Sequence, residues 1–154
     1  MPRALNAMDV PAHSASSMPE PFKETLGPYE GRALGDHFDL TQFGVNLEIL
    51  PPKSRSALRH FHSQSDEFVL ILEGELTLVT DEGETHLTSG MCAGFNAGSN
   101  NGHHLINKSN AHSTFLVVGA RMPDDKITYP DDDFQWLTAE SGSWYAARKD
   151  GTKY

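Results

Sequence analysis

The stretch His60-Phe61-His62-Ser63-Gln64-Ser65-Asp66-Glu67-Phe68-Val69-Leu70-Ile71-Leu72-Glu73-Gly74 decides how this chain is read. Phe68 to Leu72 is an unbroken apolar run, the mark of a buried strand. If His60 and His62 also lie on a strand, their imidazoles project from one face, about 6.8 Å apart at roughly 3.4 Å per residue. Two imidazoles at that spacing reach one metal ion. Ser63 to Asp66 is polar and turn-like, so the chain folds back and delivers Glu67 beside the first strand. Two nitrogens and an oxygen suit a first-row divalent metal. Gly74 stands where a bulge or tight bend leaves no room for a side chain.

Strand signals continue on both sides. Val45, Leu47 and Ile49 alternate with Asn46 and Glu48, giving one apolar and one polar face, until Pro51-Pro52 ends the ladder. Further strands are expected at Ala57–His62, Glu67–Glu73, Glu75–Thr80, Thr85–Leu87, Cys92–Phe95, His103–Asn107 and Thr114–Gly119, with a hairpin turn at Asp81-Glu82-Gly83. Many short strands with turn residues between them call for a closed or sandwiched antiparallel fold.

The ends differ in character. In residues 1–40, Pro2, Pro11, Pro19, Pro21 and Pro28 together with Gly27, Gly31 and Gly35 forbid a long helix, and a short strand is expected at about Ala4–Val10. After Gly119 come the acidic turns Pro123-Asp124-Asp125 and Pro130-Asp131-Asp132-Asp133. Apolar anchors follow or flank them at Ile127, Tyr129, Phe134, Trp136, Trp144 and Tyr145. The organisation expected is an N-terminal arm (1–40), a barrel core (41–120) and a C-terminal extension (121–154) pinned across it or against a second subunit.

At 154 residues the chain holds one domain with one sizeable core. Twelve basic against 21 acidic residues, a net charge of −9, argue against nucleic acid or an anionic membrane as partner. No apolar run has the length of a membrane span. The single cysteine, Cys92, permits no internal disulfide and reads as a small buried hydrophobe in a reducing compartment. The amino-terminal residues lack the basic-then-apolar build of a signal peptide, so a cytoplasmic location is expected.

The motif His60-x-His62-x4-Glu67-x6-Gly74 resembles the first signature of the cupins, small antiparallel jelly-roll β-barrels. Gly90, then Asn96-Ala97-Gly98, then His103-x3-Asn107, resembles their second signature, Gly-x5-Pro-x-Gly-x2-His-x3-Asn. Asn96 stands in the place of the proline, two extra residues separate Gly98 from the histidine, and Ser54 replaces the leading glycine of the first motif. Arg59-His60-Phe61-His62, Gly102-His103-His104-Leu105-Ile106-Asn107 and Tyr129-Pro130-Asp131-Asp132 are similar to words in small single-domain bacterial cupins.

The resemblance implies an all-β fold, a single antiparallel jelly-roll barrel. It also implies a metal site of His60, His62, Glu67 and His103. Asn107 shares strand parity with His103, as the family's histidine and asparagine do. This favours His103 over His104 as ligand, and His104 is then expected to face outward. Asn107 is expected to orient His103 or the strand turn. The cofactor is one divalent transition metal ion (Fe, Mn, Ni, Zn, Co or Cu), and open coordination positions leave room for a small-molecule ligand or substrate.

The first functional reading is a metal-dependent enzyme acting on a small polar molecule inside the barrel, with oxygenase, isomerase and lyase chemistry undistinguished. The alternative is a binding module whose metal anchors a ligand, and a structural, partner-binding cupin is third. No acid–base residue beyond the metal ligands is named by the sequence. Pairing through the sheets, as in cupins of this size, makes a homodimer the expected assembly.

Overall fold

The computed structural model describes residues 3–154. Its strands are β1 (Glu30–Ala33), β2 (Phe43–Leu50), β3 (Phe61–His62), β4 (Glu67–Glu73), β5 (Glu75–Thr80), β6 (Gly83–Thr88), β7 (Cys92–Phe95), β8 (His104–Ile106), β9 (Ser113–Ala120), β10 (Ile127–Thr128), β11 (Gln135–Thr138) and β12 (Trp144–Ala147). Two short helices, α1 (Phe22–Leu26) and α2 (Leu34–His37), interrupt the amino-terminal arm. A five-stranded antiparallel sheet in the order β1-β2-β9-β4-β7 faces a three-stranded sheet in the order β6-β5-β8. The fold is all-β and of jelly-roll type. No helix among the described residues is long and apolar enough to cross a membrane.

Between the sheets lies a core of Leu50, Val69, Ile71, Leu76, Leu78, Leu87, Leu105 and Phe115. A second cluster joins the two ends of the chain, with Phe22 and Leu26 of α1 packing on Leu58, Tyr129 and Phe134. Edge-to-face ring pairs, Phe22 on Phe134 at 5.3 Å and Tyr129 on Phe134 at 4.9 Å, suit the quadrupoles of the rings. Arg59 clamps the carboxy-terminal segment by pairing with Asp131 and with Asp81 in the β5–β6 turn. Gly74 is the bend the sequence calls for. Its φ is +79°, and a Cβ there would lie 2.7 Å from Ser113 Oγ, beside the register shift between Ile71 and Glu73.

Several expectations are corrected. The arm carries no strand at Ala4–Val10; Ala7–Asp9 forms a 3₁₀ turn because the Asn6 side chain accepts the Met8 N–H. The strand expected at Ala57–His62 is confined to Phe61–His62, with an isolated bridge between His60 and His103. Leu58 turns into the second cluster and its carbonyl is taken by His60, so the segment before it cannot keep a strand's pleat.

Phe68 to Leu72 is buried on one face only. Val69 and Ile71 point inward, while Phe68 and Leu72 are 40% and 44% exposed on the outer face of the sheet. Cys92, opposite Leu70 on that outer face, is exposed rather than buried. Finally, β2 shows the reverse of a simple inside–outside pattern. Its apolar residue Leu47 is covered from outside, and Gly35 of α2 packs against neighbouring Val45. Its polar residues Asn46 and Glu48 look into the space between the sheets.

Candidate metal centre

Hydrogen bonds across the motif bring the site together. His60 and His103 form an antiparallel bridge, with the His60 N–H donating to the His103 carbonyl at 3.2 Å and the reverse bond at 2.9 Å. β3 pairs with β10, placing His62 opposite Ile127. Glu67 opens β4 between Phe95 of β7 and Gly119 of β9, and faces inward.

The side chains converge. The imidazoles of His60 and His62 have ring centroids 5.2 Å apart, and those of His60 and His103 are 4.8 Å apart. Ligand atoms of His60, His62 and Glu67 all lie within 4.8 Å of one another. Around Glu67 Oε2 stand three Nε2 atoms, at 3.6 Å for His60, 3.7 Å for His62 and 2.5 Å for His103.

The outer nitrogens explain the orientation of two of these rings. His60 Nδ1 donates to the Leu58 carbonyl at 2.7 Å, and His62 Nδ1 donates to Asp125 Oδ2 at 2.6 Å. Both partners are acceptors only, so the proton sits on Nδ1 and the Nε2 lone pair points inward, ready for a cation. His103 is held differently. It stacks face to face on Phe95 at 3.6 Å, and its buried Nδ1 has no hydrogen-bond partner among the described residues. The donor set of imidazole nitrogens and one carboxylate, with the His60 and His62 tautomers set from behind, fits a divalent transition metal.

Electrostatics agree with a preformed anion-and-imidazole cluster. Burial pushes the Glu67 carboxyl up, but the bond to His103 and the neighbouring His60 imidazole outweigh it and hold the group below the ordinary carboxylate range. Burial alone would lower the His60 imidazole, and the Glu67 carboxylate 3.6 Å from its Nε2 raises it instead. The Asp125 carboxyl is lowered, its partial burial being outweighed by His62 and by the Gln64 and Ser65 N–H groups.

His104, expected to face outward, is in fact buried. Its Nδ1 donates to the Ala57 carbonyl at 2.9 Å, and burial lowers its basicity. The neighbour of His103 is thus turned away from Glu67 without reaching solvent. Asn107 is fully buried, and its amide donates to the Leu50 and Ala111 carbonyls at 2.7 and 2.8 Å while its oxygen accepts from Ser109. These bonds build the turn between β8 and β9, and none among the described residues goes to His103.

The cluster forms part of the wall of a cavity of about 600 Å³. Tyr129 stands against His60, with ring centroids 5.9 Å apart. Burial pushes its hydroxyl up to about 12. Asn46, Glu48, Tyr29 and Arg55 line the same cavity. Burial, and then the charge of Glu67, raise the Glu48 carboxyl to about 7.

Sequence reasoning missed three of these groups. Asp125 lies 63 residues from His62 and carried no local signal beyond an acidic turn. Glu48 was legible only as the polar face of β2, and Arg55 carried no signal at all.

The chain matches the family model of the cupin domain over residues 46–119. It is similar to a sugar phosphate isomerase of a cupin superfamily from Silicibacter pomeroyi, with 40% identity, a TM-score of 0.89, and coverage of 98% of this chain and 96% of that one. The fold is also shared with a predicted oxalate decarboxylase from Thermotoga maritima (21% identity, 77% and 99% covered, TM-score 0.63). The polyketide cyclase RemF from Streptomyces resistomycificus shares it as well (23% identity, 86% and 89% covered, TM-score 0.65). No curated protein sequence matches. A 40% identical chain aligned almost end to end and the cupin-domain match over residues 46–119 lead to one conclusion: this protein belongs to the cupin superfamily.

Proposed function

We propose that this cupin is a metal-dependent isomerase of a small phosphorylated sugar, with His60, His62, Glu67 and His103 holding one divalent transition metal ion. The observation that carries this reading is the convergence of three imidazole Nε2 atoms on one carboxylate in the wall of an otherwise open cavity. The isomerase named from Silicibacter pomeroyi supports the reaction class. The cavity, about 600 Å³, has the size of a small-ligand site.

A bound divalent ion would polarise neighbouring oxygens of the substrate, easing ionisation of the carbon between them. The chain's own groups do the rest. Asp125 and the Leu58 carbonyl hold the His62 and His60 rings in place. Phe95 and Tyr129 cover His103 and His60 and limit the water that reaches them. Arg59 is committed to Asp81 and Asp131, whereas Arg55 lines the cavity and enters no ion pair among the described residues. A guanidinium in that position is suited to a phosphate.

The test loads the chelator-stripped protein with iron(II), manganese, nickel, cobalt, copper or zinc and follows aldose-to-ketose conversion of phosphorylated sugars. Turnover that disappears in Arg55→Ala through a raised KM supports the reading. Silence with every metal overturns it, and ligand-induced thermal stabilisation without turnover assigns a binding module instead.

The same proposal includes a cytoplasmic homodimer, paired through the outer face of the five-stranded sheet. Phe43, Phe68 and Leu72 are exposed there, an apolar surface of the kind that subunit contacts cover. Light scattering on wild type and Phe68→Lys tests this; a wild-type monomer at micromolar concentration overturns it.

A further inference from the structure

Glu48 is a carboxyl group the metal centre does not use. It lies on β2, opposite Gly31 of β1 and Phe115 of β9, and its side chain lines the same cavity as the histidine cluster. Glu67 reaches that cavity from β4 of the same sheet, with β9 between the two strands, and the group of ligand atoms that gathers around Glu67 does not include Glu48. Glu48 is half-buried and lines the cavity. No side-chain hydrogen bond among the described residues engages Glu48, although Tyr29, His13, Arg55 and His60 line the same cavity from the arm and the motif segment. β9 offers only Phe115 and Val117 there, and neither titrates.

We propose that Glu48 is the group that removes and returns the carbon-bound proton of the substrate. The inference rests on the isomerase reading and adds to it the acid–base residue that the metal cluster lacks.

In the forward direction the Glu48 carboxylate takes the proton from the hydroxyl-bearing carbon next to the carbonyl. The C–H electron pair becomes the carbon–carbon double bond, and the carbonyl π pair moves onto its oxygen. The hydroxyl proton crosses to that oxygen, the double bond collapses to a new carbonyl, and the Glu48 carboxyl returns its proton to the former carbonyl carbon. One C–H and one O–H bond break and one of each forms, so no oxidant or reductant is needed. A carboxyl raised to about 7 by burial and by Glu67 is poised for both halves of this exchange near neutral pH.

The experiment follows loss of the C2 proton signal of glucose 6-phosphate and ribose 5-phosphate in D₂O by NMR. It uses metal-loaded wild type, Glu48→Gln and Glu48→Asp, with metal content measured by elemental analysis and folding by circular dichroism. The expected result is exchange in wild type, a loss of at least about 100-fold in Glu48→Gln at unchanged metal content, and an intermediate loss in Glu48→Asp, whose carboxyl is retracted by one methylene. Should Glu48→Gln not fold, a drop of at least about tenfold in folded Glu48→Asp decides for the proposal and a smaller one against it. Exchange in folded Glu48→Gln within threefold of wild type overturns the role of Glu48 while leaving the isomerase reading intact. Absence of exchange in wild type removes the isomerase reading and the Glu48 role with it.

Discussion

Asp125 Oδ2 lies 2.6 Å from His62 Nδ1, while Oδ1 of the same carboxylate accepts the N–H groups of Gln64 at 2.8 Å and Ser65 at 3.2 Å. One side chain of the C-terminal extension thus orients an imidazole of the motif and pins the turn that delivers Glu67.

Asp125→Asn should therefore weaken metal binding by about 10–100-fold, because the ring loses the acceptor that fixes its tautomer. Competition titration against a chelator reads this directly. Affinity equal to wild type would mean that Asp125 serves only the 63–65 turn.

Metal should also appear as stability. A site saturated at about 100 times its dissociation constant adds about 2.7 kcal/mol to the folded state. In a chain of this length that raises Tm by roughly 5–10 °C. Scanning calorimetry with and without chelator should show the rise in wild type and its absence in the double variant His60→Ala, His62→Ala. Equal melting of the two proteins with metal present would disprove the site.

Glu48 makes stability depend on pH in a defined direction. Its folded carboxyl is raised from 4.5 to about 7, so the folded state favours the protonated form. Its contribution is fully present below the unfolded value and is lost as pH rises through about 7. In chelator-treated protein, Glu48→Gln should match wild type near pH 4.5 and exceed it by roughly 1–3 kcal/mol above pH 8. Denaturant titration at the two pH values measures the difference, and a gap of the same size at both would show that Glu48 titrates normally.

Asn107 should behave as a structural amide. Asn107→Ala strands the buried Leu50 carbonyl and removes the amide that ties Ala111 and Ser109 into the β8–β9 turn, at a cost of about 2–3 kcal/mol. Metal affinity in the folded variant should stay within threefold of wild type. A selective loss of affinity without loss of stability would instead tie Asn107 to His103.

Much of the centre could be read along the chain because its spacing is local. His60 and His62 share a face through the two-residue period of extended backbone, and they do so although only Phe61–His62 is regular strand. Gly74 declared its bend because a Cβ there would collide with Ser113. Arg59, opposite in parity to His60, turns away from the cluster and pairs with carboxylates, as its position implies. His103 was chosen over His104 by parity, and its Nε2 is the one that meets Glu67.

Other features failed for a common reason. An alternating strand declares that it has two faces but not which one looks inward. The usual rule places the apolar face inside, and β2 breaks it because Asn46 and Glu48 line the cavity that holds the histidine cluster while Leu47 is buried on the opposite face. Cys92 and the run Phe68 to Leu72 were misjudged in the same way, since their exposure depends on whether anything packs on the outer face of the sheet.

Amino-acid order alone thus settled the strand rhythm, the bend at Gly74 and the His60–His62–Glu67 spacing, which follow from short-range backbone geometry, while His103 entered through the resemblance of its motif. Folding in three dimensions decided the rest: that Asp125 stands behind His62, that Phe95 stacks on His103, and that Glu48 opens onto the cavity. Those relationships join residues far apart in the chain, and their partners are set by how the sheets and the two ends pack, which no local pattern encodes.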